Sequence, residues 1–167
     1  EPSWLWWLRG LIYTDQGRLD DGLQALEKAL GFLEASHIRR HLHIWLLMAL
    51  GRNYLARGRH DEARAYLEQA LAQQKDDNCV RCGSKLYPVL AELYAETSEG
   101  DKALQLGAEA LVLAAKVNYI AGGALAHRAL GRLAAARGMG DEAEEHFAEA
   151  LKVFRDLDAK YELAKTL

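Results

Sequence analysis

The segment LGRNYLARGRHDEARAYLEQAL at residues 50 to 71 returns without a gap as LGRLAAARGMGDEAEEHFAEAL at 130 to 151, an offset of 80 residues. Half that offset finds LAELYAETSEGDKALQLGAEAL at 90 to 111, and RGLIYTDQGRLDDGLQALEKAL at 9 to 30 lies 41 residues before the first copy. Units of this size cannot bury their apolar faces alone, so four copies at a period near 40 must stack on one another. The expected organisation is one array over 1–167, with repeats near 1–36, 37–77, 78–117 and 118–157 and a partial fifth over 158–167.

The units are helical. Ala and Leu dominate, β-branched residues are sparse and only two prolines occur, which favours helix over strand. Helices are predicted near 3–16, 19–35, 38–57, 60–75, 84–97, 100–116, 119–137, 140–156 and 159–167. Half of the residues are apolar, which excludes intrinsic disorder, and a net charge of -3 leaves no global footprint for nucleic acid or an anionic membrane. The apolar run WLWWL at 4–8 is far short of the roughly 18 residues of a membrane span. Two cysteines are too few for a secreted disulfide scaffold and point to a reducing, cytoplasmic setting. A first residue Glu1 in place of Met, and the lack of a polar closing unit at either end, suggest a segment of a longer array.

Each recurring position has a steric reason. Gly10, Gly51, Ala91 and Gly131 fall mid-helix, where a small residue implies close approach of a neighbouring helix. Gly17, Gly58 and Gly138 fit the left-handed cap that ends the first helix of a unit; Ser98 breaks that pattern, with Gly100 as a substitute. Asp20, Asp61, Asp101 and Asp141 stand where the second helix begins and suit its N-cap. Ala63, Ala103 and Ala143, then Ala29, Ala70, Ala110 and Ala150, form its packing face.

In the second copy Leu50, Gly51, Tyr54, Gly58, Ala63, Leu67 and Ala70, and in the fourth Leu130, Gly131, Gly138, Ala143, Phe147 and Ala150, resemble the tetratricopeptide repeat pattern. The resemblance covers nearly the whole chain. It departs in a period of about 40 in place of 34, in the missing proline at the end of the unit, and in Gly107, where a bulky residue belongs. The longer repeats are similar to those of kinesin light chains and of sensor arrays in bacterial signal-transduction ATPases, which bind peptides, proteins or small inducers. The resemblance implies an all-α, right-handed α-solenoid of antiparallel helix hairpins whose first helices line a concave groove.

Carried over by alignment, that groove comprises Trp4, Trp7 and Leu11; His41, Trp45, Met48 and Arg52; Lys85, Pro88 and Glu92; and Leu125, Arg128 and Arg132. It is expected to be aromatic at one end and basic at the other, suited to an amphipathic or acidic peptide. Trp6 takes the family's core aromatic position. The competing reading has Trp4 and Trp7 packing on another unit or chain, and Arg128 and Arg132 pairing with acidic neighbours such as Glu92.

Cys79 and Cys82 have the Cys-x-x-Cys spacing of redox and zinc sites, in a connection before a helix that Ser84 caps and that carries Pro88 near its first turn. Reduced thiols are expected first, a local disulfide second, and last a metal site completed by His37 and His41 from the adjacent unit. Without predicted strands, thioredoxin-type catalysis has no setting. No GxxxxGK[ST], GxGxxG, HExxH or GxSxG occurs. The expected function is non-enzymatic and cofactor-free: binding of a peptide, protein or small effector, with no nucleic-acid or membrane partner, as the sensor or docking segment of a larger bacterial regulator. The alternatives are a structural or oligomerisation spacer and, more remotely, a cysteine-based metal or redox switch.

Overall fold

The computed structural model describes residues 2–36 and 40–167; the start of the predicted helix at 38 and the candidate ligand His37 lie outside the described residues. Among the described residues there are nine helices and no strand: α1 Ser3–Asp15, α2 Leu19–Ser36, α3 Arg40–Ala56, α4 His60–Asp76, α5 Val80–Glu96, α6 Gly100–Lys116, α7 Ile120–Ala136, α8 Gly140–Asp156 and α9 Lys160–Thr166. The protein is an all-α helical repeat. It divides into two compact units, Glu1–Cys82 and Gly83–Leu167. In the first, α1 packs on α2, α2 on α3, α3 on α4, and α1 also meets α3; in the second, α6 packs on α7, α7 on α8 and α8 on α9.

From α3 to α9 the helix starts fall every 20 residues, because a helix of 17 residues alternates with a turn of three. Every described turn has the same construction. Its middle residue takes a left-handed conformation (Gly17 φ 74°, Gly58 70°, Asn78 46°, Ser98 62°, Asn118 53°, Gly138 75°, Asp158 49°). The next N–H reaches back five residues to a helix carbonyl, as in Arg59 N to Tyr54 O (3.0 Å) and Ala159 N to Phe154 O (2.9 Å), closing a Schellman motif. Ser98 therefore serves the third turn itself, and Gly100 is simply the first residue of α6. The expected aspartate N-caps are displaced: Asp61, Asp101 and Asp141 lie one residue inside their helices, and the N-cap residues Arg59, Glu99 and Met139 make no side-chain cap. The aspartates remain in the first turn, where their charge favours the positive end of the helix dipole.

The mid-helix small residues do admit a neighbour. A Cβ on Gly10 would stand 2.5 Å from Leu26, one on Gly51 2.5 Å from Leu67, and one on Gly131 3.0 Å from Phe147. The third repeat reverses this exchange: Gly107 replaces the bulky residue, and Leu130 of α7 fills the space, 2.6 Å from where a Cβ would be. In the first unit Leu26, Ala29, Leu33, Leu46, Ala49 and Leu50 form a core, and Trp6 packs against it while Arg9 and Lys28 lie over its ring at 4.8 and 4.6 Å.

The fifth helix begins at Val80, four residues earlier than expected, so Cys82 and Ser84 are helical and buried, and Pro88 lies in the helix interior. Proline there offers no N–H to the Ser84 carbonyl four residues back. Gly122 of α7 lies against that carbonyl; a Cβ at this position would be 3.1 Å from it.

Candidate functional site

The expected groove residues divide between the two units. In the first, α1 and α3 lie side by side, and the Trp7 and Trp45 rings stack with centroids 5.8 Å apart and planes inclined by 22°. Both rings are half-buried, and His41 is exposed one turn before Trp45 on α3. Leu11 packs against the core, Met48 is buried, and Arg52 pairs with Asp15 at 3.3 Å. Trp4 is 50% exposed and belongs to a different stripe, running through Leu8 and Ile12 at the four-residue spacing of one helix face.

In the second unit the expected basic surface is neutralised. Arg128 is 1% exposed, held by Glu92 at 3.0 Å and by Glu162 of α9 at 2.5 Å. Arg132 reaches Glu92 at 2.6 Å and Glu96 at 2.8 Å, and Lys165 lies 3.4 Å from Glu92. Three cations and three carboxylates thus cancel on α5, α7 and α9. Burial alone would raise the Glu92 carboxyl, but Arg128, Lys165 and Arg132 outweigh it and lower it to about 2. Burial likewise disfavours the Arg128 cation, and Glu92 and Glu162 reverse that and raise it. Leu125 packs against the core of Ala124, Ala150 and Phe154, Lys85 sets its ammonium 5.6 Å from the Tyr119 ring centroid, and Pro88 is buried. An open cleft of about 550 Å³ beside the α5–α6 turn carries Glu99, Asp101, Lys102 and Arg137, whose charges pair among themselves.

Two further clusters bear chemistry. Cys79 and Cys82 are joined in a disulfide with Cα atoms 5.2 Å apart, which replaces the expected reduced thiols. Cys79 is the residue before α5, and its Sγ accepts the Cys82 backbone N–H at 3.2 Å. Elsewhere His127 Nδ1 and His146 Nδ1 face one another at 2.9 Å, and burial followed by the His146 charge lowers His127.

A tetratricopeptide repeat model matches residues 2–76, and a second tetratricopeptide repeat model matches 124–149. The chain belongs to the tetratricopeptide repeat family. Members of this family are typically non-catalytic and mediate protein–protein interaction, which supports a binding module. No curated protein matches it. No helix among the described residues is long and apolar enough to cross a membrane.

The aromatic pair lies on α1 and α3 and the charge network on α5, α7 and α9, the helices that correspond to the expected first helices of the repeats. Sequence reasoning missed Glu96, Glu162 and Lys165. One signal was available: Glu92 and Arg132 occupy the same position of successive repeats with opposite sign, which favours their pairing over a free basic surface.

Proposed function

We propose that the chain recognises a peptide or a segment of a protein on the α1–α3 face of its first unit, with Trp7 and Trp45 as the anchor. The stacked pair on adjoining helices carries this reading. Stacked indoles give a rigid, half-buried apolar platform, and tryptophan is enriched in binding hot spots. His41 and Arg52 flank the pair with polar groups at its rim. Because the charges of the second unit are paired internally, the preferred ligand is an amphipathic segment with an apolar anchor, in place of the acidic peptide suggested by Arg128 and Arg132. The forty-residue period, which resembles that of sensor arrays, supports a role in a larger regulatory protein, where a ligand seated across two hairpins biases their packing. The test is to select peptides from a random library on the intact chain and measure their affinity for Trp45→Ala and Trp4→Ala. Loss of at least tenfold with Trp45→Ala and little change with Trp4→Ala is expected, with helicity checked by circular dichroism. Full affinity in Trp45→Ala removes the anchor.

A second reading rests on a separate observation. Trp4, Leu8 and Ile12 are 50%, 38% and 53% exposed along one face of α1, a stripe suited to association with another chain. Sedimentation that depends on concentration in the wild type, and no longer does in Leu8→Lys with Ile12→Lys, would favour this role.

A further inference from the structure

We propose that reduction of the Cys79–Cys82 disulfide opens a zinc site whose third ligand is His41. This inference does not rest on the peptide-binding reading, although both use His41, and its test reads metal alone. The available ligand atoms of His41, Cys79 and Cys82 all lie within 4.8 Å of one another. Tetrahedral zinc at about 2.3 Å from sulfur and 2.0 Å from nitrogen sets its ligand atoms roughly 3.5 to 3.8 Å apart, so small side-chain rotations suffice.

The backbone holds the ligands from two sides. Cys79 closes the Schellman turn after α4, its N–H donating to Gln74 O at 3.2 Å while Gln74 Nε2 donates to Cys79 O at 3.2 Å. Cys82 is in the first turn of α5, and His41 comes from the first turn of α3, the corresponding helix of the preceding repeat. The Cys82 N–H donates to Cys79 Sγ at 3.2 Å, which fixes that sulfur at the start of α5. Cys82 is buried, Cys79 half-buried and His41 exposed, which leaves the fourth position on the solvent side for water or an exogenous donor.

Opening the site takes two electrons and two protons from a dithiol, whose own sulfurs close to a disulfide. Zinc then displaces the two thiol protons and binds two thiolates and the neutral imidazole. The disulfide form retains His41 alone of the three strong ligands.

The test uses the intact chain, reduced with a phosphine under anaerobic conditions and compared with the untreated disulfide form. Cobalt(II) should give a sulfur-to-metal charge-transfer band only in the reduced chain, and equilibrium dialysis should find one zinc per chain, at least a hundredfold tighter than in the disulfide form. Cys79→Ser and Cys82→Ser should each lose most of the band. His41→Ala should keep the band and weaken zinc at least tenfold, and His127→Ala with His146→Ala should change nothing. Circular dichroism excludes unfolding, and a variant that unfolds leaves the wild-type comparison decisive. Equal zinc uptake by the reduced and disulfide forms would overturn the site. Unchanged affinity in His41→Ala would overturn the third ligand.

Discussion

Ser98 occupies a left-handed position that its counterparts in the other three repeats give to glycine. A side chain there crowds the following carbonyl, a cost of about 1 kcal/mol that glycine avoids. Ser98→Gly is expected to stabilise the chain by roughly 0.5–1 kcal/mol, read as a higher urea midpoint with an unchanged m value. The three glycine turns were legible in the sequence because glycine marks this conformation openly. Asn78, Asn118 and Asp158 hold it too, and were not recognised: polar residues also occur in many other conformations, and only the twenty-residue spacing from the glycine turns distinguishes them. Cys79 lies in the connection, as the sequence suggests, whereas Cys82 and Ser84 do not: α5 begins at Val80, and both residues are helical and buried, which overrides the capping preference of serine.

At the scale of elements, repeat spacing predicted which helices exist and which small residues meet a neighbour, since both depend on a backbone geometry repeated four times. Pairing of Arg128 and Arg132 with Glu92 is the competing reading of the sequence and is what the structure has; the parts of Glu96, Glu162 and Lys165 were not legible, because they depend on the register between α5, α7 and α9. Arg128 meets Glu162 only because α9 sets that carboxylate 2.5 Å away. The network has a pH signature. The Glu92 carboxyl is lowered from its ordinary 4.5 to about 2, so the folded state binds fewer protons than the unfolded chain between these values. The stabilisation, on the order of 3 kcal/mol, is fully present above the unfolded value and is lost as pH falls through the folded one. Glu92→Gln should lower stability at pH 7 by about 3–5 kcal/mol, because Arg128 then keeps its charge with only Glu162 beside it. It should also flatten the acid limb of the stability curve; a variant that keeps the wild-type slope between pH 4.5 and 2 would contradict the assignment.

At the scale of the whole molecule, repeat proteins distribute stability between unit terms and nearest-neighbour terms, so their halves need not unfold together. The division at Cys82 and Gly83 falls inside α5, a single helix from Val80 to Glu96, and loss of either unit strips packing from part of it. Overlapping transitions for the two units are therefore expected in a urea titration, and transitions separated by a plateau would show that α5 does not couple them. The protein carries its own means of telling these cases apart. All four tryptophans, Trp4, Trp6, Trp7 and Trp45, lie on α1 and α3 of the first unit, whereas helical ellipticity arises from both units. Indole emission is thus a natural optical label for one half of the chain, and its midpoint set against that of ellipticity measures cooperativity without any dye. The same emission belongs to the surface proposed to hold a ligand, so a change in its colour on adding a peptide would locate the encounter as well as detect it.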